Sequence, residues 1–223
     1  MSPGSPAFSA VVQLLLVLAV LGVAVKLLLL NFWRAVLFLF PASVRVRPEA
    51  PASQMVLPPG LAPLADRLQA LGFVPLGSHV EQPLFQKAAS SYDFAHPGEH
   101  AFATLHFSPE GKPRLYLLTP LAPEGFVLTA AYRRPGFELP GRYRSGGLAE
   151  ASPERLLQAH LERLQGLVPT EDFSWEGRLK AGQAWYQGPG QREIRRQNLQ
   201  GLLWTVVALA IVAGLFLGGG RPA

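Results

Sequence analysis

Cysteine is absent from all 223 residues. Its absence excludes disulfides, thiolate metal sites, iron–sulfur clusters and a cysteine nucleophile, and it fits the reducing side of a membrane. Several recurrent catalytic patterns are also missing. There is no Walker loop, no dinucleotide fingerprint, no serine elbow and no protein-kinase set. Gly146-Gly147 reads as a turn and cannot cradle a phosphate alone. Lys and Arg are missing from residues 1–10, and every charge is missing from 199–218. These two gaps in charge are the most informative of the absences.

The uncharged tract 199–218 includes GLLWTVVALAIVAGLFL and matches the ~20 residues that cross a hydrocarbon core. Trp204 fits an interfacial ring. Gly201, Thr205 and the Gly214/Gly218 pair are positions where a second helix could pack closely. A second apolar tract covers 8–40, interrupted by Gln13, Lys26, Asn31 and Arg34. A helix from Phe8 to Leu30 would let Lys26 snorkel to an interface. Phe32, Trp33, Phe38 and Phe40 would then form an interfacial extension ending before Pro41, or the whole tract is one long tilted helix. A cleaved leader is disfavoured, because the basic n-region and a clear small-residue cleavage site are lacking.

Charge placement sets an orientation. Arg34, Arg45 and Arg47 follow the first tract, and Arg192, Arg195 and Arg196 precede the second; beyond it there is only Arg221. The positive-inside rule predicts a cytoplasmic central domain and periplasmic termini. These six inner arginines are the expected contacts to anionic lipid headgroups. Between Arg67 and Lys180 acidic and basic residues balance, so the pI of 9.9 comes from the membrane flanks. That pattern argues against nucleic acid as a partner.

The central part reads as α+β. Residues 41–60 are proline-rich and without periodicity, and read as an irregular linker. Leu61, Leu64, Leu68 and Leu71 carry a helical stripe, closed by Gly72 at the C-cap. Phe73–Val80 reads as a strand. Ala101–Phe107, Arg114–Pro120 and Phe126–Tyr132 predict an antiparallel meander, joined by Pro109–Lys112 and Pro123–Gly125. Residues 84–94 and 142–144 could add strands. Ser152 and Pro153 open a helix over 153–167. A further helix is expected over 175–186, broken by Gly188-Pro189-Gly190. The resulting layout is a first membrane helix with extension (1–40), a linker (41–60), a cytoplasmic α+β domain (61–190) and a second membrane helix with basic lead-in (191–220).

Candidate sites are few. His96–His100 spells H-x-x-E-H, but Pro97-Gly98 breaks the helix that a zinc peptidase needs, so it reads as a polar turn. His100 and His106 stand about 20 Å apart along an extended strand. His160 falls inside an apolar helical stripe and reads as packed beside the sheet. His79 has no evident partner. Glu171, Asp172 and Glu176 suit a helix N-terminus. Residues 132–144, YRRPGFELPGRYR, place Arg133, Arg134, Arg142 and Arg144 beside Tyr132 and Tyr143; guanidinium forks there suit an anion or an acidic partner.

Leu64–Phe73 (LADRLQALGF), Tyr116–Pro120 (YLLTP) and Leu156–Leu164 (LLQAHLERL) resemble segments of uncharacterised bacterial membrane-associated proteins. The resemblance spans about 61–167 and implies no assigned activity. The Ala, Gly, Pro and Arg bias looks like that of a high-GC bacterium. The expectation is a scaffold, interaction or accessory-subunit protein of a bacterial inner membrane, without metal or cofactor, pairing with another membrane protein or with itself. The rival expectation is an enzyme on a lipid-linked or anionic substrate, with His106 or His160 as base. It requires those histidines and the 133–144 arginines to meet in one cleft.

Overall fold

The computed structural model describes residues 6–84 and 87–218. They form two compact units: a sheet domain, Ala42–Glu193, and a pair of long apolar helices from the two ends of the chain.

The domain is a mixed α+β fold on one eight-stranded, largely antiparallel sheet, ordered β1-β2-β3-β4-β5-β6-β8-β7. The strands are β1 (Arg45–Pro51), β2 (Val74–Gln82), β3 (Ala89–His96), β4 (Ala101–Phe107), β5 (Pro113–Leu121), β6 (Gly125–Ala130), β7 (Phe137–Leu139) and β8 (Tyr143–Gly147). β1 to β6 form a meander, β8 runs parallel to β6, and β7 closes the far edge. The expected meander 101–132 is its centre.

One expectation changes. The proline-rich stretch 41–60 contains β1, paired with β2 from Arg45↔Gln82 to Pro51↔Gly77. The ladder slips between Pro48 and Ala50. Prolines can sit here because β1 is an edge strand, where a missing N–H need not break a ladder on both sides.

Alternation divides the sheet into two faces. Ala101, Ala103, Leu105, Leu115 and Leu117 pack with Phe94 against α2 (Ala62–Ala70) and α3 (Pro153–Leu164). Leu61, Leu68 and Leu156 complete this core. α2 ends as the leucine stripe requires. Gly72 takes φ +92°, and the Phe73 and Gly72 N–H groups bond to Leu68 O and Gln69 O, the Schellman pattern. α3 starts where expected, with Ser152 Oγ accepting from Arg155 N and Pro153 in the first turn. The opposite face, with Phe102, Thr104, His106, Tyr116 and Leu118, is covered by α4 (Trp175–Gln187). Ser174 Oγ caps α4 by accepting from Gly177 N, and Gly188 ends it.

The second unit contains α1 (Pro6–Leu39) and the larger part of α5 (Gly190–Gly218). α1 runs unbroken, so the single-long-helix alternative holds over a separate interfacial helix. The Asn31 amide bonds back to Leu27 O at 3.0 Å and keeps the helix satisfied there. Arg34 donates to Gln197 O at 3.0 Å, and Arg195 to Phe38 O at 3.3 Å. Gly201 lies directly against the Arg34 stem, and Thr205 and Ala208 are buried. Gly214 has open space around it; Gly219, Gly220 and Arg221 lie outside the described residues. Most other side chains of both helices are apolar and exposed: Leu29 is 71% and Leu217 80% exposed.

Candidate functional site

The face under α4 carries a buried polar cluster. Asp93 on β3 stands opposite Thr104 on β4, which stands opposite Tyr116 on β5. Arg178, one turn into α4, lies across all three. Its Nε is 3.0 Å from Asp93 Oδ1, and its Nη2 donates to Thr104 Oγ1 at 2.9 Å and Tyr116 OH at 2.8 Å. Arg178 is 1% exposed and Asp93 is fully buried. His79 on β2 bonds the other Asp93 oxygen, Oδ2, and its Nε2 faces Glu81 at 3.5 Å. Tyr186 OH donates to Glu81 Oε2 at 2.7 Å.

Each titration follows from this wiring. Burial alone would lower the His79 pKa, but the Asp93 carboxylate outweighs it and the net shift is upward. Burial opposes ionisation of Glu81, yet the bonds from His79 and Tyr186 hold its carboxyl at about 2. Burial pushes the Tyr116, Tyr132 and Tyr186 phenols up, keeping them protonated. Burial also lowers the His106 pKa. A second ion pair, its carboxylate buried, lies on the same face. Arg134 donates to Glu193 at 2.6 Å, Tyr143 OH bonds the other Glu193 oxygen, and Trp185 Nε1 donates to Tyr143 OH at 3.0 Å.

A pocket of about 120 Å³ lies between this cluster and α4, lined in part by Glu81, His106, Tyr132, Arg134, Arg178 and Gly182. Arg178 Nη1 and His106 Nδ1 are buried without a hydrogen-bond partner. Gly182 makes room for the guanidinium, since a Cβ there would stand 2.8 Å from Nη1. Buried polar atoms left unpaired are costly, so the pocket suits a small hydrogen-bonding guest such as water.

A larger groove of about 880 Å³ lies along the other flank of α4. Leu121, Phe126, Leu139, Ala181 and Ala184 contribute apolar wall, and Arg142, Lys180 and Arg192 stand on it with Glu124 and Asp172. Asp172 is engaged by Ser174, whose hydroxyl donates to it at 2.6 Å and holds its pKa below the usual range. This volume is in the range of small-molecule sites.

The arginines singled out in the sequence scatter. Arg133 is exposed, Arg134 is half-buried against Glu193, Arg142 lines the groove, and Arg144 bonds Glu138 and Arg163 O. His106 lines the small pocket with Arg134. His160 is on the opposite face, wedged between Thr119 and Thr129 at 2.9 Å each, where burial lowers its pKa to about 3. The two histidines therefore do not share a cleft. Among the inner arginines, Arg45 and Arg47 are exposed on β1, Arg192 stands on the groove, Arg34 and Arg195 bond the helix backbones, and Arg196 is exposed. The H-x-x-E-H letters form a short 3-10 turn in which His96 Nδ1 accepts from Glu99 N. Among the described residues, no group of three or more His, Cys, Asp or Glu could hold a metal.

Sequence reasoning missed Asp93, Glu81, Arg178 and Glu193. The available signal was a charge at an inward position of an alternating strand, as in Ser90-Ser91-Tyr92-Asp93-Phe94. Its partner lies 85 positions away on another element. No family model matches the chain, and no curated protein or solved structure is significantly similar to it.

Proposed function

We propose that this chain is a membrane-anchored interaction module of a bacterial inner membrane, acting as a scaffold or accessory subunit. One observation carries the reading. The domain covers both faces of its sheet with its own helices, whereas, among the described residues, most of the large apolar side chains of α1 and α5 are left exposed. Exposed apolar surface on this scale is unfavourable in water, and both helices are long and apolar enough to cross a bilayer. The flanking arginines support a cytoplasmic domain, with the far ends of the two helices on the opposite side.

The cysteine-free sequence makes the test clean. Single cysteines introduced at Glu110 and Glu150, both exposed, are expected to react with a membrane-impermeant maleimide only after the inner membrane of intact spheroplasts is opened. Reaction before opening would overturn the orientation. Extraction of the chain by alkaline carbonate would overturn membrane integration itself. A stoichiometric protein co-purifying in mild detergent would support the accessory role.

A second reading has its own observation, the unpartnered Arg178 Nη1 in a pocket shared with His106 and Arg134. An enzyme on an anionic or lipid-linked substrate would use that pocket. Stabilisation of the full chain by phosphate or acetate, lost in Arg178→Lys, would favour it; no stabilisation would remove it.

A further inference from the structure

We infer that the α4 groove is a binding site for an acidic phospholipid, which lays an acyl chain on the apolar wall and its headgroup among Arg142, Lys180 and Arg192. The inference rests on the membrane-anchored reading and names a ligand for it.

Four observations converge. The first is shape and lining. Phe126 and Leu121 at the β5–β6 end form one wall, Leu139 beside the β7–β8 turn forms another, and Ala181 and Ala184 leave α4 low on that side. An elongated apolar guest fits such a trough, whereas a small polar anion would leave most of its apolar wall uncovered.

The second is charge. Among the described residues, none of Arg142, Lys180 and Arg192 pairs with a carboxylate within 4.0 Å, although Arg67, Arg134, Arg144 and Arg178 all do. All three are exposed. The three bases outnumber the two acids nearby, Glu124 and Asp172. The lining therefore favours an anion attached to an apolar body over a neutral or cationic one.

The third is tether length. Arg192 is seven residues before Leu199, where the uncharged tract begins. Seven residues span at most ~25 Å even fully extended. Connectivity alone thus keeps Arg192 near the bilayer, whatever angle the helix takes. A lipid is the apolar anion always present at that distance.

The fourth is backbone construction. Gly177 on this flank packs so tightly on the Asp172 main chain that a Cβ there would stand 2.6 Å from Asp172 O. At this point the lining is fixed by main-chain packing.

The test uses the full chain reconstituted into phosphatidylcholine vesicles containing a minor fraction of phosphatidylglycerol with a diazirine in its acyl chain. After illumination, labelled peptides are mapped by mass spectrometry. Label is expected on peptides of 120–126 and 180–189 as well as on the two long helices. Combined Arg142→Glu, Lys180→Glu and Arg192→Glu is expected to cut the groove label about tenfold or more, since each basic residue near a membrane surface contributes substantially to anionic-lipid attraction. Label on the long helices should not change. Ala184→Trp, which fills the trough and leaves every charge in place, should remove the groove label as well.

Labelled helices with an unlabelled groove would overturn the lipid site alone. Unlabelled helices would overturn the membrane-anchored reading on which it rests. Equal groove labelling by a photoactivatable phosphatidylcholine would overturn the headgroup assignment. Near-UV circular dichroism of each variant in detergent shows that a lost label is not a lost fold, and the charge-reversal and Ala184→Trp variants test the same site by independent routes.

Discussion

Thr104 and Leu105 are consecutive on β4, both fully buried, and face opposite sides of the sheet. Leu105 enters an apolar core with Leu117, Leu68 and Leu156. Thr104 enters a charged one with Asp93 and Arg178. The first face is held by area removed from water, which is tolerant of detail. The second depends on its charges keeping their partners, because a charge that loses its partner inside a protein becomes a large penalty. One sheet therefore has a robust side and an exacting side, and both candidate ligand sites lie on the exacting one.

The sharpest way to break this contrast is Arg178→Met. It strands Asp93 beside His79 and should lower stability by about 3–5 kcal/mol. Thermal melts of the full chain in mild detergent, followed by circular dichroism, would measure it. Adding Asp93→Asn should recover much of the loss. If the double variant is as unstable as the single one, pairing is not what holds this face.

Leu105→Ala probes the other face and should cost about 2–5 kcal/mol through a cavity. No second polar substitution should rescue it, and the cost should not change with pH between 5 and 8. A pH-dependent cost would mean that the two faces are coupled.

The two faces should also respond to pH with opposite signs. His79 has a raised pKa in the folded state. Its contribution is fully present below the unfolded value of ~6.5 and is lost as pH rises through the folded value. His160 is held to about 3 in the folded state. The unfolded chain takes up its proton first, so stability falls as pH drops from ~6.5 toward 3. His79→Gln should flatten the alkaline limb and His160→Gln the acid limb, each by at most ~1.4 kcal/mol per pH unit. Swapped assignments in a pH series of urea midpoints would refute this account.

The smallest expected effect treats both faces alike. Ser152→Ala and Ser174→Ala each remove one helix cap and should each cost ~1 kcal/mol. Unequal losses beyond ~1 kcal/mol would show that one helix carries more of the fold than its capping bond implies.

Local order was legible along the chain. The leucine stripe and Gly72 defined α2, Ser152-Pro153 opened α3, and the 101–132 alternation described the middle of the meander, because each rests on neighbours a few positions apart. Two apolar tracts announced two long helices for the same reason. β1 was not legible: its prolines carry no strand propensity, and only β2 at the open edge of the sheet makes an extended conformation there worthwhile. Of the candidate site, the arginines of 133–144 were visible as a group, but their fates were not. Arg134 and Arg142 part ways because one turns toward Glu193 and the other toward solvent.

Composition and periodicity, which act through covalent neighbours and through water, determined the helices, the central strands and the greasy ends. Folding alone decided that Asp93, Arg178 and His79 meet, and that Lys180, Arg142 and Arg192 stand around one trough. Side-chain pairing across 85 or 14 positions is a property of strand register and helix placement, and register exists only once the sheet has formed.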